Sequence, residues 1–568
     1  MTAAPEPAEG DDGIERYVLR RRSSDTAARR AMRFLWRQLR ERGYDSGLYR
    51  LRLAGRPPLK LIATPADPWP GERDAGQALL DGAMLLDGQR VDVERPDFWG
   101  RVAASPDLAA TASGFAWLRD LASVHNDRRA RALAESLIRG WLHRYRDWEH
   151  VVWAPAVTAR RLQFWLLHAP LTLASDDLVY RSSVLTSMAR QARHLMRVAR
   201  DPDPGVARVE TAAGLVLAGL LLPHGDDWRK RGEALLERAL EETVLADGGV
   251  ISRLPADVMQ IMMLLITLRT AYEVRQESCP PDIQIRLDRM APFLRALRHG
   301  DGGLAHMNGA GNEPDGLVPR ILEASSARGK PVETARHTGL MRMTGRRSLV
   351  LLDVMPPVAG GARGAHAGAL AFELSEGNIR IVVNAGEGEA LGHLARMTAA
   401  HSTLVLNDTN STVVQEPGAL GRGIDRIDVA RGETEAGLRL EAAHDGYVQR
   451  YRLLHRRILA LTSDGDRLNG EDRLEPAPGK TPRSGLPFAI RFHLHPGVAA
   501  LPTQGGSGIV LRLPNGRGWS FRTDGVATIE DTLVMIGGRP RRSLQIVIAG
   551  ETRSDGASLR WQFRREAK

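Results

Sequence analysis

Cysteine is almost absent from this chain, which has one, Cys279, in 568 residues. A single thiol cannot form an intramolecular disulfide, so the small disulfide-stapled folds are excluded. Cys279 lies in the turn-like segment ESCPPD with no histidine beside it in sequence, and we interpret it as a spacer thiol rather than a nucleophile. Stability must then come from packed cores, and a chain of this length predicts two or three domains.

Long apolar runs are also missing. No stretch approaches ~18 uninterrupted apolar residues, so we expect no transmembrane segment. The N-terminus, MTAAPEPAEGDDGIERY, lacks the basic start and apolar centre of a secretory signal peptide, which favours the cytoplasm. Its acidic, proline- and alanine-rich composition predicts disorder over residues 1–14.

Lysine is the scarce basic residue. Only five of the 78 basic residues are lysine, and the formal net charge is +10. A surface rich in arginine attracts polyanions and pairs bidentately with carboxylate and sulfate groups. Arginine from a GC-rich genome explains the composition equally well. No zinc finger, RNP motif or basic heptad is present, so we expect no nucleic-acid partner.

The first half of the chain has helical periodicity. We predict an N-terminal helix over residues 15–45 and then an extended arm, with one or two short strands, to residue 97. From residue 98 to 320, segments such as TAAGLVLAGLLL are apolar on most sides, and proline- and glycine-rich breaks separate them. Repeated antiparallel helix pairs of this kind predict an α/α toroid or solenoid.

The second half, residues 337–568, changes to short alternating runs such as ALAFEL, RIVVNA, AIRFHLHP and SLQIVIAG. Turn residues recur every ~8–12 positions between these runs. This pattern predicts an antiparallel β-sandwich. The sequence therefore indicates a multidomain protein with a helical domain first and an all-β domain second.

Three polar side chains are expected at strand ends between residues 363 and 412. His366 and His401 are predicted to open two strands, and Asn384 to close another. Imidazole nitrogens and amide oxygens at neighbouring strand ends are able to bind a divalent metal. The alternative is that polar residues simply collect at turns, and the spacing leaves both interpretations open.

A glycine-rich loop, HGDGGLAHMNGAGNEPDG, joins the two halves. It carries His299, His306 and Asn308. Polar side chains on such a loop are able to line a cleft between domains. The same residue types are also what tight turns require, so this observation alone does not decide between a site and a turn.

Several segments together resemble one known family. In the second half these are HAGALAFEL, IVVNAGEG, TAAHSTLVL, HDGYVQRYRLLHRRILAL and RFHLHPGV, and in the first half FAWLRDL and LERALEETVLADGGVISRLP. They are similar to the heparinase II/III family of polysaccharide lyases. The resemblance covers most of the chain and implies an N-terminal α/α toroid followed by a C-terminal antiparallel β-sandwich, in agreement with the periodicity.

The resemblance implies a lyase that cleaves uronate-containing acidic polysaccharide by β-elimination. In such a reaction a polar group neutralises the substrate carboxylate, a base removes the C5 proton, and an acid protonates the leaving oxygen at C4. The family also implies a cell-envelope or periplasmic location. Its structural metal, bound by two histidines and an aspartate, corresponds here to His366, Asn384 and His401, which implies zinc or calcium. No nucleotide or organic cofactor is expected.

The sequence departs from the family at the positions that carry chemistry. Gly364 stands where the family has a catalytic histidine, and Val206 and Ala207 stand where it has an Asn-His pair. After the DGG turn, where the family has its catalytic tyrosine, this chain offers Arg253 and no tyrosine. Asn384 replaces an acidic metal ligand, and its neutral amide lowers the expected metal affinity.

Other residues must then carry any reaction. We predict a catalytic set of Arg253, His299 and His401, and a substrate-binding set of Arg253, His306 and Asn308. Arg253 is a candidate clamp for a substrate carboxylate, with a helix-capping salt bridge as the equal alternative. A neutral imidazole is a workable base near neutral pH. The function expected is a polysaccharide lyase; the alternative is a catalytically altered member that binds or processes an envelope polysaccharide.

Overall fold

A computed structural model describes residues 8–9, 14–21, 32, 35, 38, 40–86, 88–95, 97–124, 127–311, 313–358, 364–388, 390–415, 420–503 and 508–566. The chain divides into two compact units. The helical unit comprises Asp25–Val244 and Gln260–Leu287. The β-rich unit comprises Met1–Ser24, Leu245–Met259 and Asp288–Lys568.

Helices occupy most of the first half. In chain order, α1 to α15 are Gly47–Leu53, Arg73–Leu80, Phe98–Val102, Pro106–Ser113, Trp117–Ala122, Asp127–Arg144, Pro155–Leu167, Ala169–Thr172, Leu178–Val198, Val206–Leu221, Asp226–Thr243, Pro255–Arg275, Pro281–Ala296, Leu317–Ala324 and Val448–Tyr451. Short 3-10 segments cover Gly392–Arg396 and Thr398–Ala400. No helix in the described ranges combines the length and the hydropathy needed to cross a bilayer.

Helix α10 shows how the helical unit packs. Every residue from Val209 to Leu221 is buried, as its nearly continuous apolar sequence requires. Two glycines allow its neighbours to approach closely. A Cβ placed on Gly214 would lie 2.8 Å from the Cβ of Ala159 in α7, and one on Gly219 would lie 2.4 Å from the backbone nitrogen of Arg229 in α11. Larger side chains at these two positions would force the helices apart.

Strands dominate the second half. In chain order, β1 to β21 are Ala8–Glu9, Glu15–Arg20, Ala83–Leu86, Gln89–Asp92, Thr334–Ala335, Leu340–Thr344, Ser348–Asp353, Phe372–Glu376, Ile379–Val383, Leu404–Leu406, Arg426–Thr434, Gly437–His444, Leu453–Thr462, Arg467–Pro476, Pro487–Leu494, Ala499–Pro502, Gly508–Arg512, Gly518–Thr523, Val526–Ile536, Arg539–Glu551 and Ala557–Arg565. β3 and β4 form a hairpin in the helical unit.

The β-rich unit contains two antiparallel sheets. The order of one is β1-β2-β11-β12-β13-β14-β21-β18-β17-β16, and that of the other is β19-β20-β15-β9-β8-β7-β6-β5, with β10 paired to β15. Aromatic side chains from both sheets meet in a shared core. Phe372 of β8 stacks on Trp561 of β21 with ring centroids 5.5 Å apart, and Phe492 of β15 contacts both rings. Burial of this apolar layer is the main stabilising term for the unit.

The prediction of a helix from residue 15 is wrong for residues 15–20. They form strand β2, which pairs with β11 and places Tyr17 and Leu19 in the sandwich core. Within residues 1–14 the structure describes only 8, 9 and 14; Ala8–Glu9 pairs with β2, and the rest of the predicted disordered segment lies outside the described residues.

The predicted arm also contains regular structure that its proline and glycine content concealed. Helix α1 begins at Gly47, because the side chain of Ser46 accepts a hydrogen bond from the backbone nitrogen of Tyr49. Helix α2 follows over Arg73–Leu80. The short strands predicted for the arm are present as the β3–β4 hairpin.

Candidate functional site

A fully buried carboxylate, Glu373 on strand β8, organises the predicted polar residues. Its side chain accepts hydrogen bonds from His299 Nε2 at 2.9 Å and from the backbone nitrogen of His306 at 2.8 Å. It also accepts two from Asn384, the backbone nitrogen at 3.1 Å and Nδ2 at 3.0 Å. Three residues singled out by the sequence therefore share one partner that the sequence analysis did not name.

The ionisation of Glu373 follows from these contacts. Burial alone would raise its pKa, but the hydrogen bond from His299, the neighbouring imidazoles and Arg380 lower that pKa to about 2. The carboxylate is thus charged at neutral pH. His299 also bonds Ser375 through Nδ1 at 2.8 Å, so both of its ring nitrogens are engaged within the protein. Burial lowers the pKa of His306 to about 4, and this ring is neutral.

His366 and His401 form a buried imidazole pair, with Nδ1 of His366 3.2 Å from Nε2 of His401. Burial lowers the pKa of His366 to about 3 and that of His401 well below its ordinary value. Both rings are therefore neutral, which is the form that binds a metal or accepts a proton. Nε2 of His366 is buried and has no hydrogen-bond partner.

The strand-end prediction for these residues is confirmed for Asn384, which directly follows β9. It is wrong for His366, which lies in an irregular segment before β8 rather than at its first residue, because Leu370 has a φ of 60° that interrupts an extended backbone. His401 likewise lies before β10 begins at Leu404.

The amide of Asn384 is occupied on both sides. Its Oδ1 accepts from the backbone nitrogen of Ser402 at 2.9 Å, and its Nδ2 donates to Glu373. Ser402 adjoins His401, so the amide links the imidazole pair to the Glu373 network. Among the described residues, no group of three histidine, cysteine, aspartate or glutamate side chains is placed to hold a metal ion. The predicted ligand set therefore contains two imidazoles and a neutral amide.

Arg253 is held inside the β-rich unit by three acceptors. Its guanidinium pairs with Asp353 and donates to the carbonyl oxygens of Thr338 at 2.7 Å and Met355 at 3.2 Å. The arginine and aspartate side chains are 7% and 8% exposed, so the pair is largely withdrawn from water. Asn308 Nδ2 donates to the other oxygen of Asp353 at 3.2 Å. Asp353 thus joins two predicted substrate-binding residues.

The positions that depart from the family pattern carry no alternative base or acid. Gly364 faces the side chain of Leu254, whose nearest atom would lie 3.2 Å from a Cβ at that position. Val206 and Ala207 open helix α10 in the helical unit. Tyr447, which lies outside these positions, is buried, and its hydroxyl donates to the carbonyl oxygen of Leu404 at 3.0 Å, so it is a packing residue.

The helical unit contains a separate groove lined by arginine, with a cavity volume of about 930 Å³. Its walls come from α1, the C-terminal end of α6 and the length of α9. The lining arginines are Arg50, Arg139, Arg146, Arg190 and Arg193. We call this cavity the arginine groove.

Comparisons with known proteins agree with this architecture. Residues 327–562 match the family model described as "Heparinase II/III-like, C-terminal". The chain is also similar to FtsZ-localized protein C of Caulobacter vibrioides, with 31% identity over 556 residues that cover 92% of this chain and 93% of the relative. The chain belongs to the heparinase II/III family. This is a family of polysaccharide lyases.

Solved structures extend the agreement to the whole fold. The crystal structure of heparinase III covers 96% of this chain and 93% of its own, with a TM-score of 0.67 and 14% identity. The heparan sulfate lyase HepC from Pedobacter heparinus covers 95% of this chain and 88% of its own, with a TM-score of 0.57 and 14% identity. At this identity the likeness concerns the fold alone. The predicted α/α toroid followed by an antiparallel β-sandwich is confirmed.

Proposed function

We propose that this chain recognises a uronate-containing acidic polysaccharide of the cell envelope, as a member of the heparinase II/III family whose elimination machinery is altered. The observation that carries the proposal is the arginine groove of the helical unit. A concave surface with five guanidinium groups is suited to a polyanionic ligand.

The charge balance of the groove supports this assignment. Among the described lining residues, Asp147 is the one acid, and it pairs with both Arg50 at 3.4 Å and Arg190 at 3.3 Å. Arg139 pairs with two acids outside the lining, Glu135 at 2.5 Å and Asp177 at 2.8 Å, so five arginines face three acids. Arg146 is exposed and has no acidic partner among the residues that the structure describes. A groove with a surplus of positive charge concentrates an anionic chain near its wall.

Helix α9 adds hydroxyl groups along the same wall. Its lining positions include Ser182, Ser183, Thr186 and Ser187, which recur at helical spacing. Hydroxyls donate to and accept from sugar oxygens, while arginines pair with carboxylate or sulfate groups. The combination matches the two kinds of polar group on a uronate chain.

Three observations support altered chemistry. The position of the family histidine is Gly364, and the Asn-His pair is replaced by Val206 and Ala207. The guanidinium at the tyrosine position, Arg253, is engaged by Asp353 and two carbonyl oxygens. To clamp a substrate carboxylate it would have to give up a buried ion pair, and separating such a pair costs several kcal/mol, about 3–5.

The location of the chain is a separate part of the proposal. We propose a location at the cell envelope from the family to which the chain belongs, with a cytoplasmic location as the alternative. The similar protein from Caulobacter vibrioides is described as localized with FtsZ, and the two chains align over nearly their full lengths. Cell fractionation distinguishes the two locations.

A second candidate function is a polysaccharide lyase acting through other residues. It is favoured by the neutral state of His366 and His401 at neutral pH, since only a neutral imidazole is able to accept a proton. The burial that lowers their pKa values also makes them weak bases, so this function ranks second. In this alternative, one imidazole removes the C5 proton, Arg253 neutralises the uronate carboxylate, and His299 protonates the leaving oxygen at C4. His306 and Asn308 would position the sugar.

Incubation with a panel of acidic polysaccharides separates the two candidates. Heparin, chondroitin sulfate, alginate and a polygalacturonate are offered to the full chain, with neutral dextran as the control. Binding is measured by calorimetry, and elimination by the ultraviolet absorbance of the 4,5-unsaturated uronate product. Saturable binding without this product supports the altered member, and product formation supports the lyase. Failure to bind any acidic member contradicts both.

We also propose that His366, Asn384 and His401 form a metal site with a structural role. The two neutral imidazoles and the unpartnered Nε2 of His366 support it. No negative charge is contributed, so we expect weak affinity. Elemental analysis after dialysis against zinc or calcium tests the proposal, with His401→Ala as the variant that loses metal. Equal metal content in the variant and the parent chain would contradict it.

A further inference from the structure

A second basic cavity lies in the β-rich unit, where hairpin turns of both sheets meet. Its volume is about 690 Å³. It is lined by Arg346, Arg347, Glu376, Gly377, Arg517 and Arg565. None of these residues belongs to the Glu373 network, the imidazole pair or the arginine groove. We call this cavity the hairpin pocket.

Glu376 forms the fixed base of the hairpin pocket. Its side chain is 2% exposed and accepts hydrogen bonds from Arg517 at 2.8 Å, Arg565 at 3.0 Å and Trp519 Nε1 at 2.8 Å. One carboxylate therefore holds two guanidiniums in place. Asp466 lies 3.5 Å from Arg565 and is a second, more distant acidic neighbour.

Arg346 and Arg347 differ from Arg517 and Arg565, because no acidic side chain among the described residues pairs with them. They form the turn between β6 and β7, where the backbone nitrogen of Arg346 donates to the carbonyl oxygen of Ser463. Both are exposed, and neither guanidinium has an acidic partner within ion-pair distance in the described part of the chain. Four arginines thus face two acids, which leaves two positive charges uncompensated.

Small residues keep the pocket open at the turns. Gly377 has a φ of 58°, and a Cβ placed on it would meet no atom within 4 Å. Gly465, with a φ of 73°, lies against the turn, so that a Cβ there would come within 2.9–3.4 Å of the backbone nitrogens of Arg346, Arg347 and Ser348. A larger residue at Gly465 would displace the two arginines from the rim.

We propose that the hairpin pocket binds a tetrahedral oxyanion of the phosphate or sulfate type. Arginine forks pair bidentately with such oxygens, and Arg346 and Arg347 supply the two uncompensated charges that a dianion requires. Arg517 and Arg565 form the pre-positioned side, held by Glu376. The volume exceeds that of a bare ion and leaves room for a sugar-sized group that carries the anion.

Calorimetric titration of the full chain tests this site. The probes are inorganic phosphate and sulfate, then a hexose phosphate and a hexose sulfate, at constant ionic strength set with chloride. We expect saturable binding with a stoichiometry of one anion per chain. Arg346→Ala/Arg347→Ala should weaken it about tenfold or more, since two charged hydrogen-bond donors are lost. Tighter binding of the hexose forms would identify a saccharide as the carrier, and tighter binding of the inorganic ions a free anion.

The matched control is Arg541→Ala/Arg542→Ala. These two arginines are exposed in β20 of the same unit and do not line the hairpin pocket, and their removal changes the net charge equally. We expect the control to bind phosphate or sulfate as the parent chain does. Equal weakening in both double variants, or no saturable binding of any probe, would overturn the proposal. The arginine groove is lined by other residues. Anion binding in the hairpin pocket and polysaccharide binding in the groove are therefore measured, and can fail, independently.

Discussion

Replacement of Glu373 gives the sharpest test of how the buried network is held. Glu373→Ala removes the acceptor of four hydrogen bonds, from His299, from the backbone of His306 and twice from Asn384. Each buried donor left without a partner costs ~1–3 kcal/mol, and water entering the vacated space keeps the total for the four donors near the lower end of that range. We expect the β-rich unit to lose ~4–6 kcal/mol of unfolding free energy.

Glu373→Gln should cost much less. The amide oxygen still accepts from His306 and Asn384, and the amide NH2 donates to Nε2 of His299 once that ring places its proton on Nδ1, facing Ser375. The shape is preserved and only the second N–H of the new amide is left without a partner, so we expect ~1–2 kcal/mol.

Hydrogen exchange measured by mass spectrometry reports directly on the loss of the hydrogen bonds to residue 373. The amides of His306 and Asn384 donate to Glu373, so peptides that contain them should exchange faster in Glu373→Ala and only slightly faster in Glu373→Gln. Urea unfolding followed by fluorescence gives the matching free energies. Equal effects from the two variants, or a loss below ~1 kcal/mol in Glu373→Ala, would refute the reasoning.

Three further predictions concern the same unit. Burial lowers the pKa of both His306 and His493 to about 4, whereas the pKa of histidine in the unfolded chain is near ~6.5, so unfolding takes up protons below that pH. The unfolding free energy is therefore at its full value above pH ~6.5 and should fall by ~2 kcal/mol per histidine at pH ~5. Urea unfolding at a series of pH values measures this loss. Asp472→Asn leaves the fully buried Arg457 without its counterion and should cost ~3–5 kcal/mol in the same assay. Leu19→Ala should cost ~2–4 kcal/mol in unfolding free energy, whereas a value near zero would place β2 outside the core.

The N-terminal strand shows why a local pattern misled the prediction. In ERYVLR the buried residues Tyr17 and Leu19 alternate with more exposed neighbours, as a strand requires, yet the surrounding apolar spacing also suits a helix. The deciding partner is β11, which begins at Arg426, roughly four hundred residues later. A pairing of that sequence separation leaves no signal in the neighbouring residues.

The sequence identified the polar residues of the candidate site but not the acidic residues that hold them. Histidine and asparagine near strand ends were visible as breaks in apolar runs, and Asn384 lies where they indicated. Glu373 and Asp353 were hidden inside runs that read as ordinary strands, FELSE and SLVLLD. An acid within a buried strand was the available signal, because burial of a charge demands a partner. Which partner it finds depends on strand register, which the sequence does not specify.

The family fold was predictable because it depends on long, redundant patterns. Periodicity of 3.6 in the first half and of 2 in the second persists across many segments, so one wrong element such as residues 15–20 does not change the architecture. Site chemistry depends on single residues. Gly364 and Arg253 stand at positions where the family has catalytic residues. Such substitutions leave the fold unchanged but decide the function.

The most direct test of the central claim is the affinity of the arginine groove for an acidic polysaccharide. Arg146→Ala/Arg190→Ala removes two lining charges, and Arg128→Ala/Arg131→Ala removes two exposed charges nearer the other end of α6, outside the groove. Calorimetric titration with chondroitin sulfate should show the first variant bound ~10-fold more weakly and the second bound as the parent chain. Equal affinity of all three proteins would contradict the claim that this groove holds the polysaccharide.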